Sequence, residues 1–263
     1  MVKNLFNEYY SPGNGVLTQS KIKDFLKDRE YFYKKHVAGE IEPKITDAMT
    51  VGKAVDCWIT ESKKAFKDKY YVPNKTRTTA NDDYECQLTQ AMMNEVVGLC
   101  ESVTSTTVYK DIKKNFESQR ILYVEKDIGK YFHVLAGIPD WVKIEKDSCT
   151  IVDYKTTTSI SPHKYYYTCL DYGYFLQQAM YQKLVKEMYP KVKTFTSWHL
   201  VTEKDPDKIY KTGLFYLDQA RIEKESGKLE DYIERITNEK KFKRDDVTWL
   251  DFEILGQDFT SNL

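Results

Sequence analysis

Asp153 and Lys155 stand two residues apart in the run Ile151-Val152-Asp153-Tyr154-Lys155-Thr156. On an extended strand that spacing points both side chains to one face. Upstream, Ala136-Gly137-Ile138-Pro139-Asp140 ends in a second acid. A hairpin bringing Asp140 beside Asp153 would set two carboxylates and an ammonium at one sheet edge. Hard cations such as Mg²⁺ or Mn²⁺ take oxygen ligands, and a nearby lysine can orient or deprotonate a water. The alternative is a salt-bridged hairpin end, although buried ions are costly unless paired or metal-bound. The same acid-x-Lys spacing occurs at Asp111-Lys113, Glu42-Lys44, Glu61-Lys63 and Glu239-Lys241. Those read as solvated charges, because only residues 153–155 follow an apolar, β-branched lead-in.

Positioning these groups falls to alternating helical and extended patterns. After an irregular lead-in, Thr18 or Ser20 can cap a helix through Ile22, Phe25, Leu26, Phe32 and Tyr33. A second helix starts near Thr46, with Val51, Val55, Trp58 and Ile59 on one face. It should pack on a sheet, with Gly52 allowing close approach near Asp56. Residues 73–83 read as a polar connection, and helical spacing resumes through Leu88, Met92, Val96 and Leu99. Ile121–Val124, Phe132–Leu135 and Cys149–Val152 then read as three strands of an antiparallel meander. A helix is expected over 171–189, strands near 194–202 and 208–217, and a long charged helix over 218–240. This order predicts one α/β domain over 1–263, with a central mixed sheet flanked by helices. Its parts would be N-terminal helices (17–115), a core (about 116–217) and a C-terminal helical segment (218–263).

Composition narrows the function classes. Lys+Arg and Asp+Glu are both 40 in 263 residues, so the net charge is zero and any nucleic-acid contact must use local patches. The basic clusters are Lys63, Lys64, Lys67 and Lys69; Lys110, Lys113 and Lys114; and Lys240, Lys241, Lys243 and Arg244. No apolar run approaches the roughly 18 residues of a membrane span, and the N-terminus lacks a signal-peptide layout. A soluble, cytoplasmic protein with no membrane partner is expected. The cysteines (57, 86, 100, 149, 169) contain no C-x-x-C pair, which argues against a zinc ribbon, a thioredoxin-type site and a disulfide framework. The aromatic content is high at 14%, and tyrosines at 165, 166, 167, 172 and 174 closely follow the Asp153 strand. Their rings suit either core packing or stacking on unpaired bases.

Pro139-Asp140 followed by Asp153-Tyr154-Lys155 resembles the signature of the PD-(D/E)xK nuclease superfamily. Other pieces are similar to its RecB-like, phage RecE-type and lambda-type exonuclease branch. Gly52-Lys-Ala-Val-Asp56 resembles that branch's Gly-x-x-x-His motif with Asp in place of His. Gln177-Gln-Ala-Met-Tyr181 matches its Gln-x-x-x-Tyr motif, and Ser20 to Phe25 lies in a segment similar to its Ser-x-x-x-Phe helix. The motifs occur in that family's order between residues 17 and 181.

The resemblance implies a restriction-endonuclease-like core and a Mg²⁺- or Mn²⁺-dependent deoxyribonuclease, most simply an exonuclease acting at DNA ends in phage or bacterial recombination or repair. An endonuclease of the same superfamily, or a non-catalytic nuclease-fold DNA-binding or assembly subunit, stands as the alternative. Asp140, Asp153 and Lys155 would be catalytic. Asp56, Asp140, Asp153 and the Tyr154 backbone carbonyl would bind metal, and Gln177, Tyr181 and Ser20 would contact substrate. Glu125, on the first strand, could add a third acid to the site, but alternation favours reading it as an exposed strand residue. Iron–sulfur relatives carry a C-terminal cysteine cluster; no Cys follows Cys169, so no such cluster is expected. Implied partners are DNA, a ring-type homo-oligomer and a single-strand annealing protein, in a bacterial or phage-infected cytoplasm.

Overall fold

The computed structural model describes residues 11–42, 44–73, 87–204, 207 and 209–239. In chain order the elements are β1 (Val16–Leu17), α1 (Gln19–Lys27), α2 (Arg29–His36), α3 (Asp47–Asp56), a π-helical turn (Cys57–Glu61), α4 (Lys63–Lys69), α5 (Gln90–Ser105) and α6 (Thr107–Asn115). Then follow β2 (Glu117–Ser118), β3 (Leu122–Ile128), β4 (Phe132–Gly137), β5 (Trp141–Ile144), β6 (Ser148–Thr157), α7 (Pro162–Asp171), α8 (Tyr174–Met188), β7 (Thr194–Glu203), β8 (Thr212–Tyr216) and α9 (Gln219–Asn238). The chain divides into two compact units. One comprises Met1–Pro43, Glu125–Leu135 and Glu230–Leu263; the other comprises Lys44–Val124 and Ala136–Leu229. The expected polar connection and the basic cluster at 240–244 fall largely or wholly outside the described residues.

In the first unit the single helix expected through 22–33 is two. Asp28 has an extended backbone; its N–H donates to the Asp24 carbonyl, and its carboxylate accepts the Tyr31 N–H at 2.9 Å. One residue therefore ends α1 and caps α2, which hydrophobic spacing alone does not reveal. Phe25 and Phe32, one from each helix, meet edge to face at 5.4 Å. Strand β1 pairs in parallel with β4, in a sheet of order β1-β4-β3. Glu125 is exposed on β3, as alternation predicts.

The second unit carries a five-stranded sheet of order β2-β5-β6-β7-β8. Its pairs are antiparallel except β6 with β7, which are parallel and joined through α7 and α8. The meander expected from the sequence is corrected here. The hairpin partner of β6 is β5, a four-residue strand, whereas Phe132–Leu135 lies in the other sheet. On one face, Val152 and Tyr154 of β6, Trp141 of β5 and Leu200 of β7 pack in a core with Val51, Val55, Ile59, Leu99 and Ile112. The intervening β6 residues, Ile151, Asp153 and Lys155, therefore face the other way, toward α8.

Candidate active site

Strand pairing fixes the central geometry. Trp141 opposes Val152 in the β5–β6 register, so Asp140, one residue earlier, lies opposite Asp153. The Asp140 N–H donates to Asp153 Oδ1 at 3.4 Å, and the Tyr154 N–H donates to Asp140 Oδ2 at 2.6 Å. The two acids are thus locked reciprocally across the end of the hairpin. Lys155 Nζ lies 3.2 Å from Asp153 Oδ2, and Gln178 of α8 donates to the same oxygen at 3.4 Å. Asp153 is 1% exposed. The sequence-predicted Asp140, Asp153 and Lys155 therefore stand together.

Asp56 ends α3, where the helix loosens into the π-helical turn. Such turns are frequent at functional sites. The turn is held from outside by α6: Tyr109 Oη donates to the Ile59 carbonyl at 2.9 Å, and Lys113 Nζ donates to the Thr60 and Glu61 carbonyls. Lys113 is therefore engaged with backbone rather than freely solvated. Asp56 Oδ2 accepts from Gln119 Nε2 at 2.9 Å. The role expected of Gly52 is corrected: it is exposed, and an added Cβ would meet nothing within 4 Å. The close approach occurs instead at Gly137, where a Cβ would lie 2.7 Å from the Tyr181 ring.

Charge within this cluster is unbalanced. Burial, then repulsion from Asp153, pushes the Asp56 carboxyl up to about 6. Burial followed by the charges of Asp153 and Asp56 holds Asp140 well above the carboxylate range. Burial alone would lower the Lys155 pKa, but Asp153 and Asp140 reverse this and raise it, keeping the ammonium protonated. One lysine thus faces three mutually repelling acids in a poorly hydrated site. The donor chemistry fits a hard divalent cation, which would relieve that repulsion. Among the described residues no three acidic, His or Cys side chains are already converged on one ion position. The observed hydrogen bonds to Tyr154, Lys155 and Gln119 account for where the carboxylates point instead.

Beyond Lys155 lies an aromatic layer. Its ammonium sits 4.9 Å from the Tyr174 ring centroid, and Tyr174 stacks on Tyr172 at 5.7 Å. Behind it, fully buried His199 opposes Asp153 in register and shares a 2.7 Å hydrogen bond with Tyr165 Oη. Burial and the Lys155 charge keep His199 neutral, with its pKa well below the usual value. Tyr181 is buried; its hydroxyl donates to the Ile138 carbonyl at 3.0 Å and accepts from Gln177 Nε2 at 3.1 Å. Those contacts brace the segment carrying Asp140. Gln177 is half-buried, and its Oε1 has no partner. Ser20 belongs to the first unit, exposed in the first turn of α1 with its hydroxyl 3.0 Å from Thr18 Oγ1. Sequence reasoning missed Gln119, Gln178 and His199. Gln178 sits beside the recognised Gln177, and His199 follows from the parallel register; Gln119 carries no sequence signal.

Among the described residues no helix is long and apolar enough to cross a membrane. No curated protein matches the chain. Its fold is similar to that of the "Putative exonuclease" from Eubacterium rectale, with a TM-score of 0.64 and 14% identity, covering 100% of this chain and 98% of that one. That likeness establishes the restriction-endonuclease-like α/β fold. A second solved structure, SSO0001, aligns over 92% of this chain and 85% of its own at 12% identity, with a TM-score of only 0.34. The model of the family described as "PDDEXK-like domain of unknown function (DUF3799)" matches residues 18–247; the chain belongs to this family, within the PD-(D/E)xK nuclease superfamily.

Proposed function

We propose that the chain is a divalent-metal-dependent deoxyribonuclease that hydrolyses phosphodiester bonds from DNA ends, in the setting of phage or bacterial recombination or repair. The observation that carries this reading is the β5–β6 hairpin setting Asp140 against Asp153, with Lys155 on the same face as Asp153. Asp140, Asp153, the Tyr154 carbonyl and Asp56 would hold Mg²⁺ or Mn²⁺. The chemistry such an ion contributes is to lower the pKa of a water and offset charge developing on the phosphate.

The chain's own groups do the rest. Lys155, kept cationic by Asp153 and Asp140, can donate to a phosphate oxygen and orient the attacking water. Tyr174 covers the lysine from one side, limiting its access to bulk water. Gln177 is half-buried one turn before Tyr181, and its Oε1 has no partner, so a modest turn of the amide would present an acceptor to the strand beside the cleaved bond. Tyr166, Tyr167 and Tyr172 are 43%, 53% and 58% exposed, which suits stacking on unpaired bases at a frayed end. The description of the similarly folded Eubacterium rectale protein as an exonuclease supports end-directed cleavage.

The test compares end-labelled linear duplex with covalently closed circular DNA, each with Mg²⁺ and with EDTA. Progressive loss of the linear substrate, an untouched circle and no activity in EDTA is the expected result. Cleavage of the circle would make the chain an endonuclease. Inactivity on both would overturn the enzymatic reading in favour of a DNA-binding subunit.

A further inference from the structure

Gln119 follows β2 at the corner leading to β3, and its φ of 48° is the one left-handed non-glycine backbone among the described residues. Left-handed backbone is disfavoured for residues with a Cβ, and glycine or asparagine ordinarily occupies it. A glutamine held there needs contacts that over-determine the conformation. Gln119 has them at both ends. Its backbone N–H donates to the Asp140 carbonyl at 2.9 Å, immediately after the β2–β5 register pairs Ser118 with Trp141. Its Nε2 donates to Asp56 Oδ2 and to Thr60 Oγ1, both at 2.9 Å. The Thr60 hydroxyl in turn donates to the Asp56 carbonyl at 2.7 Å, so the acceptor that Gln119 uses is itself fixed.

Two acids that repel each other, on elements far apart in sequence, are therefore tied through one residue. The backbone of Gln119 holds the start of β5, and its side chain holds the end of α3. Both amide hydrogens are spent, and one oxygen of Asp56 is fixed while the other is left for a cation. We propose that Gln119 is the positioning residue of the metal centre, setting the Asp56 carboxylate in register with Asp140. This rests on the metal-centre reading above. A glycine at 119 would relax the backbone and lose the amide; an asparagine would tolerate the backbone but fall one methylene short of Asp56 and Thr60.

The experiment uses metal-free protein and Mn²⁺ alone, without DNA, reading the thermal midpoint as Mn²⁺ is titrated. Gln119→Gly should melt at or above the wild-type midpoint without metal, yet bind Mn²⁺ about 10- to 100-fold more weakly, the usual effect of losing a group that orients a ligand. Gln119→Asn should weaken binding in the same direction, and it carries the measurement if the glycine variant does not fold. In an Asp56→Asn background, Gln119→Gly should change Mn²⁺ affinity no further. Normal Mn²⁺ affinity in both Gln119 variants overturns the positioning role, as does equal weakening with and without the Asp56 carboxylate. A wild type whose midpoint does not respond to Mn²⁺ overturns the metal-centre reading, and this inference with it.

Discussion

Replacing Asp56 by asparagine should stabilise the metal-free protein near neutral pH. The Asp56 carboxyl is pushed from its ordinary 3.8 up to about 6, first by burial and then by Asp153. A carboxyl whose folded pKa is raised binds its proton more tightly in the folded state. It therefore costs nothing below about pH 3.8, and its penalty accrues between 3.8 and about 6 and persists above. A shift of roughly two units corresponds to about 3 kcal/mol. Asparagine can still accept from Gln119 but loses the charge-assisted part of that bond, which gives back about 1 kcal/mol. The net gain of about 2 kcal/mol should raise the midpoint by roughly 4–8 °C in a chain of this size. The assay is thermal denaturation of both proteins in EDTA from pH 4 to pH 8. The variant should pull ahead across that window and lose its lead when saturating Mg²⁺ is added, because the cation stabilises only the wild type fully. A variant less stable than wild type at pH 8, or a difference independent of pH, would refute the electrostatic account of the cluster.

Further substitutions probe other parts of the same reasoning. Gly52→Ala should add about 0.5–1 kcal/mol by chemical denaturation, since the site is exposed, helical and open; a loss would show that the helix face is crowded. Gly137→Ala should cost about 1–3 kcal/mol through the Tyr181 ring, and a neutral result would mean that the ring yields freely. Gln177→Ala should weaken DNA processing with little change in melting temperature, whereas a large stability loss at normal specific activity would make it a packing residue. Tyr172→Ala should weaken binding of single-stranded DNA in Ca²⁺ about tenfold, at the lower end of base-stacking energies; unchanged affinity would remove this ring from the DNA path.

The centre of the site was legible because its signal is local. Alternation along Ile151–Lys155 sets Asp153 and Lys155 on one face whatever lies beside the strand. Identifying that neighbour needed more. Trp141–Ile144 is four residues long, directly after Pro139-Asp140, whereas Phe132–Leu135 is the stronger strand pattern; pattern strength does not encode pairing. Helix α7 escaped notice because His163-Lys-Tyr-Tyr-Tyr has no clear helical periodicity. The break at Asp28 was hidden because apolar spacing continues through it, while the extended backbone of that one residue and its side chain's capping bond interrupt the helix. Gln119 was invisible for a different reason: its importance lies in a dihedral angle and in partners from two stretches far apart in the chain, residues 56–60 and Asp140, none of which composition or spacing reports.

The most direct test of the central claim is single-turnover cleavage of a linear duplex by wild type, Asp153→Asn and Lys155→Ala in Mg²⁺, with DNA affinity measured in Ca²⁺. Hydrolysis by wild type, a fall of about a thousandfold or more in both variants, and DNA binding within a few-fold of normal are predicted. Equal cleavage by wild type and Asp153→Asn, after removal of contaminating nuclease, would contradict the assignment of the Asp140–Asp153–Lys155 cluster as the hydrolytic site.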